Sequence, residues 1–136
     1  MRGTRETRGM ENHELLEREK TESIIGAFFD SYYKLGYGFL ESVCLRALEK
    51  ELKKHGHKVQ REVAVEVTYD GERIGWFRLD MLVDDVIVLE VKASETLPPF
   101  ARQQLINYLS ATRREVGLIL HYGPKPRFHR VVKSRS

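Results

Sequence analysis

The sequence predicts a mixed α/β domain, a β-meander with helices before it and one helix after it. Three observations carry this. Apolar residues recur at helical spacing through the first part of the chain. They then alternate with polar residues across three consecutive segments, two of them joined by Asp70-Gly71, a strong hairpin signal. After Pro98-Pro99 come another helical stretch and a short, wholly apolar run.

Length and composition set the bounds. A chain of 136 residues suits one domain with a real hydrophobic core. Apolar residues at 41% and charged residues at 32% are ordinary for a soluble globular protein. No segment approaches the ~20 apolar residues of a membrane span. Met1 to Met10 is polar and basic, without the apolar stretch of a secretory signal. The expectation is a cytoplasmic protein with no membrane contact. A single cysteine, Cys44, excludes an intramolecular disulfide and a multi-cysteine zinc site, and reads as a core thiol.

In chain order, residues 1–12 read as a flexible leader, residues 13–132 as one domain, and residues 133–136 as a flexible basic tail. A helical pattern runs from about His13 to Lys34, with Ile24, Ile25, Phe28, Phe29 and Tyr32 at core spacing. Gly36 and Gly38 break it. A second helix is expected from about Phe39 to His55, stopped by Gly56. Strands follow at Val59–Tyr69, with Val63, Val65 and Val67 on one face, at about Ile74–Val83, and at about Val86–Ala93. Pro98-Pro99 opens a helix over about Phe100–Thr112. Glu115–Tyr122 reads as a buried strand, and Gly123-Pro124 turns the chain into a short last strand near Phe128–Val132. No phosphate-cradling glycine loop is present, because Gly36-Tyr37-Gly38 lacks the preceding strand.

The most informative run is Arg78-Leu79-Asp80, followed ten residues later by Glu90-Val91-Lys92. Register decides whether the two acids meet. Phe77, Leu79, Met81 and Val83 share one face of the second strand; Ile87, Leu89 and Val91 share one face of the third. A two-residue turn at Asp84-Asp85 splits this apolar set between two faces. A three-residue loop, Asp84-Asp85-Val86, pairs Val83 with Ile87 and Leu79 with Val91, which keeps the face continuous. It also sets Asp80 opposite Glu90. A one-residue slip turns every side chain over, so burial selects this register.

Two carboxylates directly opposite repel. A hard cation such as Mg²⁺ or Mn²⁺ offsets that, and so does a salt-bridge network with Lys92 and Arg78. The pair alone leaves both open. A third acid tips the balance. On a helical wheel Glu41 falls inside the apolar arc of Leu40, Cys44, Leu45, Leu48 and Leu52, where an unpaired carboxylate is costly. Gln104 and Tyr108, one helical turn apart, can present an amide and a phenol to one site, although that spacing is more often incidental.

Charge is uneven along the chain. Leu97–Ser136 carries eight Lys/Arg against one acid, +7, so residues 1–96 carry −4. A basic C-terminal third suits a phosphate backbone, and equally a solvated surface with a tail.

Leu35-Gly36-Tyr37-Gly38-Phe39-Leu40-Glu41-Ser42-Val43 resembles the signature of the GxxExxY protein family, part of the PD-(D/E)XK, restriction-endonuclease-like nuclease superfamily. The likeness continues through Ile25-Gly26-Ala27, Arg78-Leu79-Asp80, Glu90-Val91-Lys92, Gln104 to Tyr108 and Gly117 to Gly123, roughly residues 20–132. Cys44 stands where the signature usually has Tyr, and His121-Tyr122-Gly123 where Asn-Phe-Gly is common.

The resemblance implies an αβββαβ core, a central mixed sheet flanked by helices. It implies a metal-dependent nuclease acting on nucleic acid, DNA ahead of RNA. Asp80, Glu90 and the Val91 carbonyl are then Mg²⁺ or Mn²⁺ ligands, with Glu41 completing the shell or aiding a second ion. Lys92 is catalytic, and Gln104 and Tyr108 position the substrate strand. Arg78, Arg113, Arg114, Lys125, Arg127 and Arg130 are expected on the phosphate backbone. Many such nucleases act as dimers, so a homodimer or a partner protein belongs among the expectations. The rival reading is a nucleic-acid-binding or protein-interaction module on a nuclease fold, without turnover.

Overall fold

The computed structural model describes residues 2–134, with side-chain surroundings from residue 17 onward. Met1, Arg135 and Ser136, at the ends of the expected leader and tail, lie outside the described residues. The elements are α1 (Arg2–Leu35), α2 (Glu41–Lys54), β1 (Val59–Tyr69), β2 (Glu72–Val83), β3 (Ile87–Lys92), α3 (Ala101–Thr112), β4 (Val116–Tyr122) and β5 (Pro126–Val132). Their order is the expected one. The main difference lies at the start, where helix begins at Arg2 rather than near His13. Residues 2–12 contain no proline, and most are good helix formers.

Five strands form one sheet in the order β1-β2-β3-β4-β5. β3 and β4 pair in parallel and the other pairs are antiparallel. The parallel pair requires a crossover, and α3 supplies it. One face of the sheet carries Met81, Val83, Ile87, Leu89, Val91, Val116, Leu118, Leu120 and Tyr122 against α1 and α2. The other carries Leu82, Val88, Ile119 and Val131 against Ala101, Leu105 and Leu109 of α3. The result is a mixed sheet between helices, as the sequence led us to expect.

Local chemistry fixes these elements. Gly36, at φ 93°, closes α1, and its N–H donates to the Tyr32 carbonyl at 2.8 Å. α1 is pinned to β4 by Ser31 Oγ, 2.6 Å from the Tyr122 hydroxyl, and by the Tyr32 hydroxyl, which donates to the Gly123 carbonyl at 2.6 Å. On α2, Cys44, Leu45, Leu48 and Leu52 form the buried stripe, so the single cysteine is the expected core thiol. Asp70 and Gly71, at φ 51° and 78°, make the β1–β2 turn and pair Tyr69 with Glu72.

The β2–β3 register is the one that burial selects. Val83 pairs with Ile87, Leu82 with Val88 and Met81 with Leu89, around the three-residue loop Asp84-Asp85-Val86. Asp84 and Asp85 both take positive φ, at 52° and 61°. Asp84 is anchored by His57 Nδ1 at 2.7 Å and by the Lys58 N–H at 2.9 Å.

Two register expectations need correction. The ladder stops at Met81–Leu89, so Leu79 and Val91 are not backbone partners. Nor do Phe77 and Leu79 share a core with Met81; they pack with Val63, Val65 and α3 on the other side. Strict alternation fails between Leu79 and Met81, opposite Glu62, whose φ is 53°. A non-glycine residue in the left-handed region turns the strand, and the β1–β2 arm beyond it presents its valines to α3.

Candidate active site

The site forms where the β2–β3 ladder opens. Beyond Met81–Leu89 the two acids take over the bonds between strands. The Asp80 N–H donates to Glu90 Oε2 at 3.1 Å, and the Val91 N–H donates to Asp80 Oδ2 at 2.8 Å. Each carboxylate is therefore fixed by the other strand's backbone, with its second oxygen outside those two bonds. Such pre-set carboxylates are what a metal or substrate site requires.

Glu90 is only 4% exposed. Its burial, then the Asp80 carboxylate, push its carboxyl up to about 8; the Asp80 N–H and Lys92 pull the other way, and Glu41 adds to the rise. Burial likewise raises Asp80, against the Val91 N–H, Lys92 and Arg61, while Glu62 adds to the rise. Burial thus disfavours charge on both acids more than the nearby cations favour it. That imbalance is the donor chemistry a hard divalent cation satisfies, so the residues present fit Mg²⁺ or Mn²⁺.

Glu41 comes from a third direction. It is the first residue of α2, and it is exposed, not buried as its helical wheel suggests. No layer covers the first turn there: Leu40, 74% exposed, and Val43 also face solvent. The Glu41 carboxyl is still raised, first by partial desolvation and then by Asp80, with Lys92 and the Ala93 N–H pulling it down. It therefore senses the same cluster as Glu90. A carboxylate in a helix's first turn also sits favourably on the helix dipole.

Lys92 stands two residues past Glu90 and on the same strand face. Its Nζ donates to Gln104 Oε1 at 3.5 Å, a long contact at the edge of hydrogen-bonding range. Tyr108, one turn further along α3, stacks on Phe77 with ring centroids 4.1 Å apart and planes 10° apart. Burial, then Glu90 and Asp80, raise its phenol, so the ring lies within the field of the acids. Asp80, Glu90, Lys92, Glu41, Gln104 and Tyr108 are thus gathered at one end of the sheet by four separate elements.

The basic residues divide. β3 and β4 run parallel toward the site end, with Lys92 beside His121. Arg127 pairs with His121, and Lys125 lies in the exposed turn just before it, so both belong to that end. Arg113, the left-handed cap of α3, and Arg114, whose Nε donates to the Asp85 carbonyl at 2.8 Å, lie at the opposite end. Arg130 pairs with Leu118, midway along β5, and its Nε is buried with no partner among the described residues. Arg78 lies on the β2 arm, its guanidinium carbon 5.4 Å from the centroid of the Trp76 ring.

Two neighbours carry no expected role. His121 is buried beside Lys92; its Nε2 lies 2.8 Å from the Ser94 carbonyl and therefore carries the proton. Glu62, on β1 between the Arg61–Met81 and Val63–Leu79 pairs, raises the Asp80 carboxyl. The β4 alternation and the hairpin register point to both residues, given the site.

A second cluster lies away from this end. Asp30, Glu51 and His55 place their ligand atoms within 4.8 Å of one another, the one such group of three found among the described residues. Glu51 is already bound by Lys34 at 3.0 Å and Lys54 at 3.4 Å. The Lys34 hydrogen bond leads in holding its carboxyl below the usual range, against some desolvation, and Lys54 adds to the effect. Two ammonium groups beside a carboxylate compete with a cation, so this cluster fits a metal poorly.

A sequence profile of the PD-(D/E)XK nuclease superfamily matches residues 18–131. No curated protein matches the chain significantly. Among solved structures, the fold is similar to the crystal structure of SSO0001, at 22% identity and a TM-score of 0.55. The match covers 71% of this chain and 52% of that one, so this chain spans about half its length. At that identity the likeness speaks to the fold alone. No helix among the described residues is long and apolar enough to cross a membrane.

Proposed function

The chain belongs to the PD-(D/E)XK nuclease superfamily, and from that premise we propose that it is a cytoplasmic, divalent-metal-dependent nuclease of the GxxExxY type, acting on DNA ahead of RNA. The observation that carries this reading is the opened ladder. A half-buried aspartate and a buried glutamate hold each other's strands by side-chain bonds, and burial, only partly offset by nearby cations, raises their carboxyls. The subfamily reading is supported by the Leu35-to-Val43 signature, whose Glu41 is within the electrostatic reach of Asp80.

Asp80, Glu90 and the Val91 carbonyl would hold Mg²⁺ or Mn²⁺, with Glu41 bound directly or through water. Bound there, the ion would acidify a water and stabilise charge building on the scissile phosphate. Lys92 supplies a fixed positive charge that orients the attacking water or screens the phosphate. Gln104 steadies the Lys92 ammonium, and Tyr108, held flat on Phe77, positions the strand. Lys125 and Arg127 hold the adjoining backbone without reading sequence. Arg113, Arg114 and Arg130 reach phosphates only on a longer substrate.

A second reading is a nucleic-acid-binding or protein-interaction module without turnover. It is favoured by the exposed apolar residues flanking Glu41, namely Tyr37, Phe39, Leu40 and Val43, which suit a partner protein or a second copy. Cleavage of DNA and RNA oligonucleotides with Mg²⁺, with Mn²⁺ and with chelator tests the first reading. Divalent-dependent products that vanish in Glu90→Ala and Lys92→Ala support it. Variants that cleave as wild type sink it, and binding without turnover in the wild type favours the second reading.

A further inference from the structure

The β1–β2 arm carries a feature that neither metal chemistry nor packing uses. Trp76 is 55% exposed, on the same strand as Asp80 and four residues before it. Four strand residues span about 13 Å, the reach of a few nucleotides at about 3.4 Å each. The arm is braced from behind: Val63, Val65 and Phe77 pack toward α3, and Phe77 stacks on Tyr108. Trp76 and Arg78 alternate with Phe77 and so stand on the opposite, open face.

That face is a shallow groove of about 640 Å³ lined by Glu62, Ala64, Val65, Glu66, Arg73, Trp76 and Arg78. Ala64, the cross-strand partner of Arg78, keeps the floor low. Glu66 sits opposite Trp76 and is taken by Arg73 at 3.3 Å. Arg78 makes no ion pair among the described residues and lies over the indole. Two acids and two arginines cancel, so this is a poor seat for phosphate. Its chemistry is a flat aromatic face with a guanidinium plane beside it, the pair on which unpaired bases stack.

We propose that Trp76 and Arg78 form a base-stacking platform on the β1–β2 arm, and that this arm takes nucleic acid with unpaired nucleotides, such as a single strand or a frayed end. Paired bases keep their faces inside the duplex and have nothing to offer the ring. The inference rests on the nuclease reading for the position of the cleaved bond, but not for the stacking itself. A protein partner on the same groove is the competing outcome.

Trp76 is the chain's one tryptophan, so its emission reports this residue alone. The test titrates the full chain, in chelator, with a labelled single-stranded oligonucleotide and a blunt duplex of equal length. Indole emission and label anisotropy are read together. The single strand is expected to quench the indole as it binds, and the duplex much less. Trp76→Ala should weaken single-strand binding about 10-fold and Trp76→Phe about 3-fold or less. Binding seen by anisotropy with unchanged emission, or equal quenching by the duplex, overturns the platform and leaves the nuclease reading standing. No binding of either nucleic acid overturns the platform and points to the protein partner, while the nuclease reading stands or falls on the cleavage assay.

Discussion

Two acidic clusters in this molecule invite comparison. Asp30, Glu51 and His55 gather within 4.8 Å, and geometry alone would choose them as the metal site. Asp80 and Glu90, with Glu41 alongside, form no triad that tight. Yet the first cluster is electrostatically satisfied, because Lys34 and Lys54 hold the Glu51 carboxyl down. The second is not: burial and neighbouring acids push Glu90, Asp80 and Glu41 up together. A cation has more to gain where charge is unmet than where ligand atoms merely sit close. On the proposed reading, the tight cluster is structural and the loose one chemical.

The strongest attempt to break that contrast is activity. Glu90→Ala and Lys92→Ala should each lower divalent-dependent cleavage by about 10²-fold or more. Glu51→Ala and His55→Ala should leave the rate per folded molecule within about 2-fold of wild type. A gel-based cleavage assay reads both, and a large loss in Glu51→Ala would reverse the assignment.

Stability should sharpen the contrast, with opposite signs at the two acids. The Glu90 carboxyl is raised on folding. Its contribution is thus fully present below about pH 4.5 and lost as pH rises through about 8. Glu90→Gln, which keeps an oxygen for the Asp80 N–H, should therefore stabilise the metal-free protein near pH 8 by about 1–3 kcal/mol. Its effect should fade toward pH 5. Urea melts in chelator at the two pH values check this; a variant less stable than wild type at pH 8 would contradict it.

Glu51 runs the other way and more weakly. Its carboxyl is lowered on folding, so its contribution is present above the unfolded value near 4.5 and lost as pH falls through the folded one. Its lysines are 63% exposed, so solvent screens the pairs. Glu51→Gln should cost no more than about 1 kcal/mol at pH 7, with less cost in high salt. Thermal melts at low and high ionic strength read this, and a salt-independent loss of several kcal/mol would argue for a deeper role.

The contrast also marks what the sequence can convey. The register that brings Asp80 across from Glu90 was legible because apolar alternation and the Asp84-Asp85-Val86 loop agree on it. The opened ladder was not legible, because it depends on carboxylates replacing backbone bonds, which no periodicity encodes. The side to which Leu79 points is hidden for a related reason. The left-handed Glu62 re-aims the arm, and a glutamate seldom signals such a backbone. Glu41 was singled out by a helical wheel that assumes a covered face along the whole helix; the first turn of α2 has no cover. It still faces the site, but from solvent. Asp30, Glu51 and His55 form no sequence pattern, because α1 and α2 bring them together across a long sequence separation.

One measurement bears most directly on the central claim that the unmet cluster takes the metal. Isothermal calorimetry with Mn²⁺, and again with Mg²⁺, would be run on the wild type, Glu90→Gln and Glu51→Gln at pH 8. The account predicts binding in the wild type, little or none in Glu90→Gln, and near-wild-type binding in Glu51→Gln. Binding that survives Glu90→Gln and disappears in Glu51→Gln would contradict it and move the metal to the α1–α2 cluster.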